Sequence, residues 1–205
     1  MAADSRTKTT IIKLRKHKRT KEKTCLVTAY DYPQSLIADK AGVDAILVGD
    51  SCGMTTHGYK TTLPVTMDEM INHCESVSRG AQDAFLIGDM PYMSYQPSNQ
   101  IAIENAGRFI VSGMDCVKVE GAMIERIEAI VKSGIMVMSH LGLTPHTRAK
   151  LGGYRVQGKT AKSAEIVLDQ ARRLQEAGCS FLLLEAMPTE PAGMIAEELD
   201  IPVYG

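Results

Sequence analysis

Ala45-Ile46-Leu47-Val48-Gly49-Asp50 is an apolar run that ends on a carboxylate, and three further runs in the chain end in the same way. These are Ala84-Phe85-Leu86-Ile87-Gly88-Asp89, Cys116-Val117-Lys118-Val119-Glu120 and Phe181-Leu182-Leu183-Leu184-Glu185. Short apolar runs separated by helical patterns are typical of buried parallel strands. Each acid then lies at the carboxyl end of its strand, and in a parallel barrel all these ends share one face.

The order of the strand and helix patterns predicts an α/β fold. Strands are predicted near 25–30, 45–50, 85–90, 116–121, 136–141, 181–186 and 201–205, and helices near 33–42, 67–79, 97–113, 123–133, 160–178 and 189–199. This alternation allows a doubly wound open sheet or a (β/α)8 barrel of the TIM type. Polar groups at the ends of many consecutive strands favour the barrel, because an open sheet concentrates them at one switch point.

The pattern contains seven strands, one fewer than a (β/α)8 barrel has, and the seventh coincides with residues 201–205. We therefore expect a single barrel domain over residues 24–205 that lacks the eighth strand and the closing helices. The unpaired edge of such a sheet would favour self-association.

The first 23 residues carry nine Lys and Arg against two acidic residues, although the net charge of the whole chain is -1. A basic arm of this kind could bind nucleic acid or a membrane surface. The alternative is a helix whose apolar residues Ile11, Ile12 and Leu14 dock on the barrel while its charges face solvent. We favour the helix and expect neither nucleic acid nor a membrane as a partner.

The composition argues against several other classes of protein. Apolar runs are too short for a membrane span, and the first residues lack the apolar core of a signal peptide. The five cysteines are scattered and show no Cys-x-x-Cys spacing, so neither a disulfide framework nor a zinc site is predicted. No dinucleotide-binding or Walker motif is present either. We therefore expect a soluble cytoplasmic protein with reduced thiols.

Lys118 and Glu120 are two residues apart on one predicted strand, so their side chains point to the same side of the sheet. If that side is the barrel interior, an ammonium and a carboxylate share a nearly dry space with Asp50 and Asp89. One interpretation is a structural ion pair, since buried charges are generally paired. The other is that the carboxylates hold a hard divalent cation such as Mg²⁺ while Lys118 meets an anionic substrate.

Two long predicted loops, 51–65 and 142–158, leave the same face of the barrel. Long loops on this face commonly line or cover a substrate site, whereas a plain surface excursion is the alternative. His140 also ends a predicted strand at this face. It could orient a substrate or Glu185, or it could be a hydrogen-bonded structural histidine.

Eight short motifs now make a specific resemblance visible. They are Thr28-Ala29-Tyr30-Asp31-Tyr32, Val48-Gly49-Asp50-Ser51-Cys52-Gly53-Met54, Thr62-Leu63-Pro64-Val65-Thr66, Gly88-Asp89-Met90-Pro91-Tyr92, Val117-Lys118-Val119-Glu120-Gly121, His140-Leu141-Gly142-Leu143-Thr144-Pro145, Gly152-Gly153-Tyr154-Arg155-Val156-Gln157-Gly158 and Leu184-Glu185-Ala186-Met187-Pro188. In this content and order the chain resembles the ketopantoate hydroxymethyltransferase family, enzymes of pantothenate biosynthesis.

Carried over residue by residue, the resemblance implies a metal site and a substrate site that share side chains. Asp50, Asp89 and Glu120 would surround Mg²⁺. The residues Asp50, Ser51, Asp89 and Lys118 would bind the 2-oxo acid substrate, 3-methyl-2-oxobutanoate. A 2-oxo acid chelates Mg²⁺, and the metal then stabilises the enolate that forms when C3 loses a proton.

The resemblance also implies that Glu185 is the catalytic proton acceptor. The enolate would then attack the one-carbon unit of 5,10-methylenetetrahydrofolate, a co-substrate, and give 2-dehydropantoate. Members of the family continue beyond the position of Gly205 with further barrel elements, so relative to the family this sequence is expected to be truncated at its C-terminus. A homo-oligomer is implied as well.

Three interpretations of function therefore remain open. The first is the hydroxymethyltransferase, and the second is a truncated remnant without catalytic activity. The third is another Mg²⁺-dependent lyase or mutase that stabilises 2-oxo-acid enolates, of the isocitrate lyase and phosphoenolpyruvate mutase group. Against a lyase of the isocitrate lyase type, the Lys-Lys-Cys-Gly-His loop expected there is not present.

Overall fold

Seven parallel strands, paired in chain order, form the centre of the structure, a computed structural model that describes residues 7–205. The strands are β1 (Leu26–Thr28), β2 (Ala45–Val48), β3 (Phe85–Asp89), β4 (Cys116–Glu120), β5 (Val137–Gly142), β6 (Phe181–Glu185) and β7 (Val203–Tyr204). All seven predicted strands are present, and every pairing is parallel, as strict alternation with helices requires.

The sheet curves into a nearly closed barrel, which confirms the predicted fold class. The rings of Phe85 on β3 and Phe181 on β6 lie 5.3 Å apart. Three strand spacings separate β3 from β6, so in a flat sheet these residues would be about 14 Å apart. Within the described residues β1 and β7 each pair with one neighbour, and they form the two edges of the sheet.

Eight α-helices accompany the sheet in the described part of the chain. They are α1 (Ile11–Thr20), α2 (Tyr32–Lys40), α3 (Cys52–Thr55), α4 (Met67–Gly80), α5 (Asn99–Val111), α6 (Ile124–Lys132), α7 (Ala161–Glu176) and α8 (Thr189–Glu198). The single turn α3 and a 3₁₀ turn at Pro145–Thr147 lie inside the two predicted loops and were not expected. None of the helices described is long and apolar enough to cross a membrane.

Helix α4 shows how local sequence sets the helix boundaries. Its N-terminus is a capping box: Glu69 N–H donates to Thr66 Oγ1 at 3.2 Å, and Thr66 N–H donates to Glu69 Oε2 at 2.6 Å. Gly80 is the last residue of the helix. A Cβ there would lie 2.6 Å from the carbonyl oxygen of Tyr32, so glycine allows α2 and α4 to approach closely.

Strand residues alternate between two hydrophobic clusters. Outward-facing residues pack against the helices, as Val117 and Val119 do with Phe109 and Ile127. Inward-facing residues fill the lower half of the barrel. This interior cluster consists of Leu14, Ala45, Leu47, Phe85, Ile87, Cys116, Met138 and Phe181.

Helix α1 closes the amino-terminal end of the barrel. Leu14 is fully buried in the interior cluster and Ile11 packs beside it, whereas Ile12 is 76% exposed. Lys13 Nζ donates to Asp44 Oδ1 at 3.1 Å, directly before β2. The predicted docking of this helix thus holds for Ile11 and Leu14 and is wrong for Ile12, which lies on the solvent face with the charges.

Candidate active site

Three carboxylates meet at the carboxyl end of the barrel, as the strand pattern predicted. Asp89 and Glu120 are the last residues of β3 and β4, and Asp50 lies two residues beyond β2. All three side chains are buried. The backbone N–H of Asp50 donates to Asp89 Oδ2 at 3.2 Å and fixes the two acids beside each other.

Lys118 lies among these acids and is itself buried. Its ammonium donates to both oxygens of Asp89, at 2.6 and 2.7 Å. Burial alone would lower the pKa of Lys118, but the charges of Asp89 and Asp50 raise it above its usual value. The side chain is therefore a permanent cation at neutral pH, on the same inward side of β4 as Glu120.

The acids carry more negative charge than Lys118 compensates. Burial, with the charge of Asp50, raises the pKa of Asp89 to about 6 despite the contact with Lys118. Burial likewise raises the pKa of Glu120 to about 7. Asp50 differs from the other two acids. Burial acts to raise its pKa, but a hydrogen bond from His146 and the charge of Lys118 hold the pKa below its usual value. A further cation would favour the ionised form of all three.

His146 completes the site, and the sequence did not point to it. It lies in the 3₁₀ turn of the second long loop, with Nε2 2.7 Å from Asp50 Oδ2. Its backbone N–H donates to Glu120 Oε1 at 2.8 Å. The buried hydroxyl of Tyr95 lies 3.2 Å from His146 Nδ1 and accepts from the Glu120 N–H at 3.1 Å. His146 and Tyr95 thus hold Asp50 and Glu120 in place.

His140 lies between Glu185 and the carboxylate cluster. His140 Nε2 lies 3.1 Å from Glu185 Oε2, and its Nδ1 lies 3.9 Å from Glu120 Oε2. The ring is buried while the Glu185 side chain is 44% exposed. Burial and the charge of Lys118 lower the pKa of His140 to about 4, so the imidazole is neutral at physiological pH. Of the four predicted acids, Glu185 is thus the one that stands apart from the carboxylate cluster.

Ser51 borders a small open space rather than joining the cluster. Its hydroxyl lies 2.9 Å from the Tyr30 hydroxyl. A Cβ built on Gly49 would lie 2.9 Å from Ser51 Oγ and 3.8 Å from Asp89 Oδ2. Gly49 therefore keeps open the space between the serine hydroxyl and the carboxylate.

The two long loops meet over this end of the barrel. The Tyr154 hydroxyl of the second loop lies 3.9 Å from Met54 Sδ of α3 in the first loop. The second loop also delivers His146 to the acids. Both loops thus border the site, as their length and position predicted.

The donor set fits a hard divalent cation. Asp50, Asp89 and Glu120 supply oxygen ligands, the type that Mg²⁺ prefers over nitrogen and sulfur. Their burial and excess negative charge provide the electrostatic reason for a cation at this position. Lys118 compensates one of the three charges. Burial acts to lower the pKa of His146, but the hydrogen bond to Asp50 and the charge of Glu120 raise it, so His146 compensates part of another.

Comparison with known proteins identifies the relatives of this chain. A sequence model described as ketopantoate hydroxymethyltransferase matches residues 8–205. The 3-methyl-2-oxobutanoate hydroxymethyltransferase of Alkaliphilus metalliredigens is 47% identical over 96% of this chain and 71% of the relative. The enzyme of the same name from Thermotoga neapolitana is 51% identical over 94% of this chain and 72% of the relative. The chain is thus shorter than these relatives.

Solved structures with low sequence identity share the fold. A 2,3-dimethylmalate lyase, described as a member of the PEP mutase/isocitrate lyase superfamily, matches with a TM-score of 0.70 and 17% identity over 94% of this chain and 70% of its own. A phosphonopyruvate hydrolase solved with oxalate and Mg²⁺ matches with a TM-score of 0.71 and 11% identity over 96% of this chain and 71% of its own. At these identities the likeness concerns the fold alone.

Proposed function

Because the chain belongs to the ketopantoate hydroxymethyltransferase family, we propose that it transfers a hydroxymethyl group from 5,10-methylenetetrahydrofolate to 3-methyl-2-oxobutanoate and forms 2-dehydropantoate. The reaction would serve pantothenate biosynthesis. The observation that carries the proposal is the buried group of Lys118 with Asp50, Asp89 and Glu120, beside a glutamate that is free of it.

Asp50, Asp89 and Glu120 are the residues that would hold Mg²⁺. When bound, the ion would stabilise the negative charge that develops on the keto oxygen of the substrate. Burial raises the pKa values of Asp89 and Glu120, and a bound cation would favour the ionised form of both carboxylates, which supports this assignment. In the phosphonopyruvate hydrolase that shares the fold, Mg²⁺ occurs together with oxalate.

Lys118 and Ser51 would bind and orient the oxo acid. The Lys118 ammonium is held against Asp89 and supplies the positive charge that a carboxylate substrate requires. Ser51 offers its hydroxyl across the space that Gly49 leaves open. Fixing both ends of a small substrate in this way sets the position of its C3 atom relative to the base.

Glu185 would remove the proton from C3. It lies on β6 and outside the carboxylate cluster, so it is available for proton transfer rather than for cation binding. The neutral imidazole of His140 lies 3.1 Å from its carboxylate and would orient it through a hydrogen bond in the substrate complex. A general base contributes about 10²- to 10⁴-fold to such a step.

Glu185→Gln tests this assignment most directly. We expect exchange of the C3 proton of 3-methyl-2-oxobutanoate with deuterated solvent, measured by NMR without folate, to fall at least about 100-fold. Glu190→Gln, a change of the same type in α8, is the matched control and should leave exchange intact. Undiminished exchange in Glu185→Gln would rule out its role as the base.

The same assay separates the alternatives. A lyase or mutase of the superfamily would consume oxaloacetate or a related acid instead, so both substrates are to be supplied in parallel. A remnant without catalysis would show neither exchange nor turnover in the wild-type chain.

Family membership further supports cytoplasmic location and a homo-oligomer, with small molecules rather than nucleic acid or membranes as partners. Size-exclusion chromatography with light scattering tests the oligomer.

A further inference from the structure

A second cluster of metal-ligating side chains lies outside the carboxylate site. Cys52, His57 and His73 each direct one ligand atom to a common point, and these three atoms lie within 4.8 Å of one another. The Nε2 atoms of the two imidazoles are 3.0 Å apart. Cys52 is buried, His73 is half-buried and His57 is exposed, so the point is reachable from solvent.

The local fold explains why residues so far apart in sequence meet. Cys52 begins α3, and the N–H groups of Thr56 and His57 both donate to its carbonyl, at 2.8 and 3.0 Å, which turns the chain back over the thiol. Met70 on α4 places its sulfur 3.7 Å from Cys52 Sγ. His73 follows Met70 by three residues, so it lies on the same face of α4.

A hydrogen bond fixes the tautomer of His73. Its Nδ1 lies 2.7 Å from the carbonyl oxygen of Tyr30. A carbonyl only accepts, so Nδ1 carries the proton and the lone pair of Nε2 points toward His57 and Cys52. Histidines that ligate metals are commonly oriented in this way, by a bond from the other ring nitrogen to a carbonyl. His57 is held in turn by stacking on Tyr59 at 5.5 Å.

We propose that Cys52, His57 and His73 bind one divalent cation of the zinc type through a thiolate and two imidazoles, with the fourth position open. Zinc–nitrogen and zinc–sulfur distances of about 2.0–2.3 Å place tetrahedral ligands roughly 3.3–3.7 Å apart, which small side-chain movements reach from the present arrangement. The thiol releases its proton to solvent on binding. The hydrogen bond from His57 Nε2 to His73 Nε2 is replaced by two nitrogen–metal bonds, and His57 then carries its proton on Nδ1.

The chemistry of the two sites assigns them different cations. Sulfur and imidazole ligands select zinc-type ions, whereas the three carboxylates suit Mg²⁺. The new site joins the first long loop to α4, and it begins two residues after Asp50. Its occupation would therefore stabilise the segment that follows the acid and Ser51. No Cys-x-x-Cys spacing marks it in the sequence, because its three ligands come from a helix start, a loop and a neighbouring helix.

Titration with Co²⁺ in excess Mg²⁺ tests the proposal. We expect the wild-type chain to develop a thiolate-to-cobalt charge-transfer band together with intense tetrahedral d–d bands. Cys52→Ser should lose the charge-transfer band, and His57→Gln should weaken Co²⁺ binding by more than about 10-fold, the lower limit for loss of even an outer-shell partner. The matched controls are Cys25→Ser and His17→Gln, which should behave as the wild type.

Two spectroscopic outcomes would overturn the proposal. One is a wild-type spectrum without a charge-transfer band, and the other is a band that survives in Cys52→Ser. Since Cys52 is buried, circular dichroism is recorded for every variant. His57 is exposed and its replacement by Gln should not affect folding, so normal Co²⁺ affinity in His57→Gln would also refute the site.

Discussion

The lower and upper halves of the barrel interior are both lined by inward-facing residues of the same strands. These residues are apolar in the lower half and charged in the upper half. At the amino end Ala45, Phe85 and Cys116 form a dry cluster sealed by Leu14 of α1. Toward the carboxyl end the same registers continue into Asp89 and Lys118. The lower half buries apolar surface, while the upper half buries charge.

The difference separates stability from function. Burying apolar side chains is favourable in proportion to the area removed from water. Burying a carboxylate and an ammonium costs desolvation that their attraction only partly repays. We infer that the lower half stabilises the barrel and that the upper half reduces stability in return for binding and chemistry.

The largest expected effect comes from breaking the buried ion pair. Lys118→Met leaves the Asp89 carboxylate buried without its cation, which should lower the free energy of unfolding by roughly 3–5 kcal/mol in the presence of EDTA. Urea denaturation measures the loss. The double variant Lys118→Met with Asp89→Leu replaces both charges by apolar groups and should recover most of that stability, although it should be inactive. A double variant no more stable than the single one would contradict the inferred cost of the polar half.

The apolar half is tested on α1, where two residues of similar size provide a matched pair. Leu14 is fully buried in the interior cluster and Ile12 is 76% exposed. Leu14→Ala should destabilise the chain by about 2–5 kcal/mol through lost burial and a new cavity. Ile12→Ala should change stability by no more than about 0.5 kcal/mol. Equal losses in thermal or urea denaturation would show that α1 does not close the barrel.

A smaller change in stability with a clear change in activity is expected at Gly49. A Cβ there displaces only the Ser51 hydroxyl, the movable end of a side chain, so Gly49→Ala should alter the unfolding free energy by less than about 1 kcal/mol. It should nevertheless lower kcat/KM roughly 10- to 100-fold, because the substrate is displaced. Gly107→Ala on α5 is the control: no atom lies within 4 Å of its Cβ, and it should be slightly stabilising. If Gly49→Ala left kcat/KM unchanged, the space beside Ser51 would not be part of the substrate site.

Much of this arrangement could be predicted from strand periodicity. The apolar runs before Asp89 and Glu120 indicated both the strands and the end of the barrel at which the acids meet. The two-residue spacing of Lys118 and Glu120 indicated that both side chains point to the same side of the sheet, and the structure shows that this side is the barrel interior. These predictions succeed because alternation along a strand is a local property that the tertiary fold does not change.

Features that depend on contacts between distant segments could not be predicted in this way. His146 reaches Asp50 across 96 positions and lies in a loop without periodicity. The Tyr95 hydroxyl accepts a hydrogen bond from the backbone N–H of Glu120. In the sequence, however, Tyr95 is only an aromatic residue within a segment of turn-forming residues. The close approach of α2 to Gly80 likewise depends on a partner that the sequence around Gly80 does not reveal. In each case the decisive partner comes from another element.

The alternation along β4 has a consequence for how the gene can vary. Inserting or deleting one codon between those for Cys116 and Glu120 would exchange the two faces of the strand. Lys118 and Glu120 would turn under the helices, and Val117 and Val119 would line the substrate site. We expect insertions and deletions of whole codons within β4 to abolish activity, and a deep insertion–deletion scan would display β4 as a five-codon gap in the tolerated variants.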